Sequence, residues 1–214
     1  MKILLRILLL IVGYVFGLFQ TGYFYGKMTG TDLREKGSGN TGATNALRVM
    51  GIKGGLIVFF FDALKAFIPC FAVRLIFKND AYRFVYLMYT AFGVVLGNNY
   101  PFYLKFKGGK GVAATSGYAL AWNWIYWICG MAFFFLLASL TGYVSLASCT
   151  TALVVVGLGV LFSITEGFST AIFIEFMVLI VLLQAMLIWR HRANIKRLLN
   201  GTENRFGHKK KKAE

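Results

Sequence analysis

Two glycine-rich polar runs and one polar helix end interrupt a chain that is otherwise hydrocarbon. In the first, Gly37, Gly39 and Gly42 alternate with Ser38, Asn40, Thr41, Thr44 and Asn45, and Arg48 closes the run. Glycines at this spacing leave backbone N–H groups free to converge on an oxyanion, and such nests hold phosphate through several short hydrogen bonds. Arginine adds a fixed charge and forked donors that match phosphate oxygens. The second run, FKGGKG from Phe106 to Gly111, brackets Gly108 and Gly109 with Lys107 and Lys110 at an expected helix start. It lacks the Ser or Thr after GxxxxGK that a nucleotide-binding P-loop needs. What remains is a single anion-binding turn or a plain basic loop.

The third polar segment is WRHRANIKRLLNGTE, where His191 and Asn194 share a helical face and Arg190, Arg192, Lys196 and Arg197 surround them. A basic anchor at lipid head groups accounts for the charges but not for His191, Asn194 and Glu203. Histidine is the natural general base near neutral pH. In FDALKAF, Asp62 and Lys65 lie three apart within an apolar run, where charges are costly and usually paired or functional. They can pair with each other, or Asp62 can hold Arg48 or Lys110 in place; either role supports the site. There is no GxSxG elbow or Ser-His-Asp order. Nor is there an HxxxxD pair, since Lys196 follows His191 by five and Ala213 follows His208 by five. Cys70, Cys129 and Cys149 sit in apolar runs, odd in number and without a CxxC, so small core residues are expected rather than a disulfide framework or metal site.

The elements that must position these residues follow from composition. Of 214 residues 58% are hydrophobic and 14% charged, with a mean hydropathy of +0.66. Soluble domains run nearer half apolar and a quarter charged, so the chain is expected in a membrane. The net charge of +15 then reads as cationic loops against anionic head groups rather than nucleic-acid binding. Hydrophobic runs place spans near 3–26, 54–77, 83–100, 124–140, 144–162 and 169–189. A shorter piece, 112–122, reaches only ~16 Å against a hydrocarbon core of ~30 Å. Trp122, Trp124, Tyr126 and Trp127 form an interfacial belt that favours a turn there.

The expected fold is therefore an all-α integral membrane protein of seven transmembrane helices, N-terminus outside and C-terminus cytoplasmic. The amino end resembles a signal peptide without a clear cleavage site, and is read as a retained span. One domain covers 1–203, followed by a basic cytoplasmic tail, 204–214. With this threading seventeen Lys and Arg fall on one side and five on the other, and the larger group belongs in the cytoplasm. The Gly37–Arg48 loop, the KFKGGKG loop, the SLTGYVS connection with Ser145 and the C-terminal tail then share one face.

In chain order, GSGNTGATNALRVMG with FDALK, LGNNYPFYLKFKGGKGVAATSG, and LTGYVSLAS with RHRANIKRLLNGTE resemble three motifs of the bacterial acyl-phosphate:glycerol-3-phosphate acyltransferase family (PlsY), a likeness running over about 13–203. The resemblance implies an enzyme of the bacterial inner membrane with its active site at the cytoplasmic face. Its substrates would be acyl phosphate and glycerol 3-phosphate, and its products 1-acylglycerol 3-phosphate (lysophosphatidic acid) and phosphate. It implies no metal, nucleotide or other cofactor, no nucleic acid and no obligate protein partner beyond membrane lipids.

By the same resemblance Ser38, Thr41, Asn45 and Arg48, within the Gly37, Gly39, Asn40, Gly42 and Thr44 loop, would bind and polarise the acyl phosphate. Lys107, Lys110, Ser145, His191 and Asn194 would hold glycerol 3-phosphate, with Gly108, Gly109 and Gly111 letting the backbone approach its phosphate. Asp62, Lys65 and Glu203 would support the site. The hydroxyl proton would pass to His191 or to a substrate phosphate oxygen, whose pKa near 6 suits it. One departure stands out: the family's usual GHxFP reads Gly97-Asn98-Asn99-Tyr100-Pro101 here, and Asn98 is expected to be structural. A transporter of organic phosphate would instead line a path between both faces with charge, and a non-catalytic lipid-binding module would not need such polar loops.

Overall fold

Backbone N–H and C=O groups find no water in hydrocarbon, so apolar runs of this length must satisfy them internally as helices. The structure, a computed structural model, describes residues 2–205. The predicted tail beyond Arg205, with His208 and the lysine run, lies outside the described residues. The described helices are α1 (Lys2–Gly17), α2 (Thr21–Met28), α3 (Ala43–Ile76), α4 (Arg83–Asn99), α5 (Val112–Trp122), α6 (Trp124–Thr141), α7 (Val144–Thr165), α8 (Thr170–Arg190) and α9 (Arg192–Leu199).

By length and composition, five segments are able to cross a membrane: Ile3–Met28, Ala43–Ile76, Trp124–Thr141, Val144–Thr165 and Thr170–Arg190. The two further expected segments are helical but shorter, α4 with 17 residues and α5 with 11. The end of α5 is held by Arg74, whose Nη1 donates to the carbonyls of Ala121 at 3.0 Å and Trp122 at 3.1 Å. Asn123 then starts α6, its Oδ1 accepting the N–H of Ile125 at 2.9 Å. The turn thus falls within the aromatic cluster.

Two elements differ from expectation. The first span breaks between α1 and α2, where the Gln20 amide donates to the carbonyls of Gly17 at 3.2 Å and Asn98 at 3.0 Å. The first polar loop ends at Gly42, and Ala43 to Arg48 are helical. That stretch contains Ala, Leu and Arg, which favour helix, and its helix breaks only at Gly51, with φ 75° and ψ −172°.

Helix α4 is central, packing against α1, α3, α5 and α8. Its seam with α1 is built from Gly13 and Gly17 against Gly93 and Gly97. A Cβ at Gly13 would lie 2.1 Å from the Thr90 carbonyl oxygen, and one at Gly93 2.1 Å from that of Leu10. Small residues four apart give this close approach in membrane helices. Phe84, Trp122, Phe162 and Phe176 interlock in the core beside α4. Helix α6 lies outermost, with Gly130 as its buried residue. Cys70 is buried as expected, whereas Cys129 is exposed on α6.

Candidate functional site

The polar segments converge at one end of the bundle. Asn40 Nδ2 reaches from the first loop to the Gly108 carbonyl of the second at 3.3 Å. Arg190, at the end of α8, donates to the carbonyls of Gly108 and Gly109, each at 2.9 Å. Lys110 Nζ donates to Asn194 Oδ1 of α9 at 2.5 Å. Glu203 joins α9 to the start of α7, accepting from Asn194 at 2.8 Å, Ser145 at 3.0 Å and Arg197 at 2.7 Å.

Around Lys110 lie three further cations, Arg48, Arg190 and Arg197, and one carboxylate, Glu203, all close enough to act on its charge. Burial, then the three arginines, depress the Lys110 ammonium to about 8, against the opposing pull of Glu203. Burial alone would raise Glu203, but the hydrogen bonds from Asn194, Arg197 and Ser145 hold it below the usual carboxylate range. His191 is buried, with Nδ1 2.9 Å from the Leu187 carbonyl oxygen. A neutral ring donates there from Nδ1 and keeps a lone pair on Nε2. Burial, then the charge of Lys110, pushes His191 down to about 4, so it is neutral at physiological pH.

The first loop is shaped from within. Asn45 Oδ1 accepts the Ser38 N–H at 2.8 Å, and its Nδ2 serves the carbonyls of Leu33 at 2.9 Å and Asn40 at 2.8 Å. Thr41 is buried and donates to Gln20 Oε1 at 3.4 Å. The Thr41 and Asn45 side chains, both expected at an acyl phosphate, are engaged in holding the loop's own shape. Gly37 and Gly39 take positive φ of 64° and 70°, and the Gly42 N–H donates to Asn40 Oδ1 at 2.9 Å. Ser38 and Arg48 are left exposed, with Thr44 half-buried between them.

The second loop also departs from its expected role. The Gly108 and Gly109 N–H groups donate to the carbonyls of Asn99 at 3.2 Å and Asn98 at 2.9 Å, so they are not available to a phosphate. Their missing side chains serve packing instead: a Cβ at Gly108 would lie 2.2 Å from the Asn98 carbonyl oxygen. Gly111, at φ 87°, turns the chain into α5, whose first helical bond runs from Thr115 N–H to the Gly111 carbonyl at 2.7 Å. The N–H groups of Val112 to Ala114 therefore lack intrahelical acceptors beside Lys110, the arrangement that attracts anions. Lys107 is exposed on the loop and is not among the groups acting on Lys110.

Asp62 holds neither Arg48 nor Lys110. Its Oδ1 accepts from Lys65 at 2.7 Å and Thr21 at 2.8 Å. Lys65 also donates to the Phe19 carbonyl at 2.6 Å and Asn98 Oδ1 at 2.8 Å. Both charges are buried, and the pair ties the α1–α2 break and the end of α4 to α3. Asn98 is part of this joint. Sequence reasoning assigned Arg190 and Arg197 to head groups and passed over Gln20 and Thr21. A lone amide in an apolar run was the available signal for Gln20.

Below the charged mouth runs an apolar cleft. It begins with Val112, Ser148 and Leu187, one helical turn or less from Lys110, Ser145 and His191, and descends between α5, α6 and α7 to Trp122 and Tyr126.

An all-helical integral membrane protein with a cation-rich mouth over a hydrocarbon slot is suited to joining a phosphorylated compound to a lipid chain. The profile of the glycerol-3-phosphate acyltransferase family matches residues 7–201. A glycerol-3-phosphate acyltransferase of Mycoplasmopsis synoviae (strain 53) is 37% identical over 98% of both chains. Crystal structures of PlsY, an integral membrane glycerol 3-phosphate acyltransferase, superpose with TM-scores of 0.82 for the glycerol 3-phosphate form and 0.81 for the lysophosphatidic acid form. The first is 37% identical, covering 94% of this chain and 96% of that one; the second is 36% identical, covering 94% and 95%. The chain belongs to the glycerol-3-phosphate acyltransferase family.

Proposed function

We propose that this protein transfers a fatty acyl group from acyl phosphate to the 1-hydroxyl of glycerol 3-phosphate, releasing 1-acylglycerol 3-phosphate and inorganic phosphate. The reading includes a bacterial inner-membrane location, seven crossings, an external N-terminus and a cytoplasmic mouth. One observation carries it: three arginines and a single carboxylate, Glu203, act on Lys110 at the head of an apolar cleft. Two phosphates need such a cation surplus, and an acyl tail needs the hydrocarbon beside it.

Glycerol 3-phosphate lies against Lys110 and the α5 N-terminus, beside His191 and the Ser145–Glu203–Asn194 bridge. The acyl phosphate lies against Arg48, Ser38 and the start of α3, its tail in the cleft. The hydroxyl oxygen attacks the acyl carbon, a tetrahedral oxyanion forms, and the bond to the phosphate oxygen breaks. Since phosphate is already a good leaving group, positioning and charge stabilisation do most of the work. With His191 depressed to about 4, the phosphate dianion is the stronger base, its second pKa being near 6. We assign it the proton.

Purified protein given palmitoyl phosphate and glycerol 3-phosphate should release phosphate only when both are present, with the acylated product seen by mass spectrometry. Exchange of glycerol 3-phosphate across proteoliposomes without release would overturn the proposal in favour of a transporter.

A further inference from the structure

Helical glycines in this chain mostly have a visible reason. Gly13, Gly17, Gly93, Gly97 and Gly117 abut a neighbouring backbone, and Gly51 has positive φ. Gly130 has neither reason: it is buried, yet a Cβ there would meet nothing within 4 Å. A glycine inside a helix costs conformational entropy without return, so the open space itself is the remaining account. That space belongs to the cleft, which Gly130 lines halfway down α6, one turn below Phe134 and one turn above Tyr126. At the foot, Trp122 stacks on Tyr126 at 6.0 Å and meets Phe162 edge-on at 5.1 Å, closing the slot.

We propose that Gly130 sets the length of acyl chain accepted, by leaving the lower half of the cleft open to the distal methylenes. This rests on the acyl-transfer reading given above. The ten steps along α5 from Val112 to Trp122 give the cleft about 15 Å of depth. A side chain at 130 would remove the last ~6 Å, one helical turn. At carbon–carbon bonds of ~1.5 Å along a zigzag, that is roughly five methylenes.

The test compares palmitoyl phosphate with octanoyl phosphate in wild type, Gly130→Ala, Gly130→Val and Gly130→Leu, with Gly157→Leu as control. Gly157 is exposed on α7, and a Cβ there also meets nothing within 4 Å. The expected result is a palmitoyl-to-octanoyl ratio of kcat/KM that falls with side-chain size, by about ten-fold or more at Leu. Octanoyl turnover should stay near wild type, and Gly157→Leu should leave the ratio unchanged. An unchanged ratio in the Ala, Val and Leu series, or equal loss on both donors in folded protein, would overturn the proposal. If Gly130→Leu does not fold, the Ala and Val variants decide the question by the same ratio. Wild type inactive on both donors would instead overturn the acyl-transfer reading itself.

Discussion

Among the described residues Glu203 is the one acid acting on Lys110, and Glu203→Gln removes its charge while keeping an oxygen to accept from Ser145 and Asn194. Asn194 bridges Lys110 and Glu203 through contacts of 2.5 and 2.8 Å. Charges separated by such a bridge, about 7 Å apart at an effective dielectric of ~20, interact by about 2 kcal/mol. That is about 1.5 pKa units, and solvent at the open mouth reduces it to about one. Losing the negative charge disfavours the ammonium, so the pKa of Lys110 should fall from about 8 by that amount. Only the ammonium attracts the phosphate dianion. In wild type the KM for glycerol 3-phosphate should therefore be flat between about pH 6 and 8 and rise tenfold per unit above that. In Glu203→Gln the rise should begin about one unit lower. The limb near pH 6, from the substrate phosphate, should be identical in both. Initial rates between pH 5.5 and 9.5 give the two profiles, and Lys110→Ala should abolish the upper limb. An upper limb that persists in Lys110→Ala, or does not move in Glu203→Gln, would refute the reasoning.

Three other outcomes follow from the same geometry. Arg48→Ala should lower turnover by about 10²–10³-fold while the protein still purifies folded, because its charge matters most as the leaving phosphate forms; near-normal turnover would end that assignment. His191 is depressed in the folded state to about 4 from an ordinary 6.5, so its contribution to stability is complete above pH 6.5 and is lost as pH falls toward 4. It amounts to about 3 kcal/mol at most, and detergent melts at pH 7.5 and 5 should differ less in His191→Asn than in wild type. Lys65→Met leaves Asp62 buried with Thr21 as its remaining partner and should cost about 3–5 kcal/mol, of which Asp62→Asn in the same chain should recover part in thermal melts.

Hydropathy located the apolar helices, including short α5, because a membrane helix must be continuous and apolar; it did not separate α2 from α1 or place the polar α9. The breaks were harder to read. Gln20 and Gly51 interrupt helices through contacts and dihedrals that a one-dimensional pattern does not carry. Polar clusters were legible as clusters but not in their division of labour. Gly108 and Gly109 look like a phosphate nest in sequence, yet their amides are taken by Asn99 and Asn98 from the adjacent helix end. Asn45 looks like a ligand, yet it closes its own loop. The Asp62–Lys65 pair was visible because its spacing is local; Thr21 and Asn98, which complete it, arrive from α2 and α4.

The distribution of paired and surplus charge separates catalysis at one mouth from passage across the bundle. At the end remote from the polar loops, Arg6 meets Glu175 at 2.7 Å and Arg83 meets Glu166 at 2.7 Å. At mid-depth, Lys65 is matched by a carboxylate and two oxygens. A permeating organic phosphate would have to break these bonds in turn. Around Lys110, three arginines face a single carboxylate, Glu203. An anion drawn there by charge has a favourable way in and none through, while a lipid chain has the cleft beside it. Chemistry between a phosphate held at the mouth and a chain held in the slot is what that asymmetry permits.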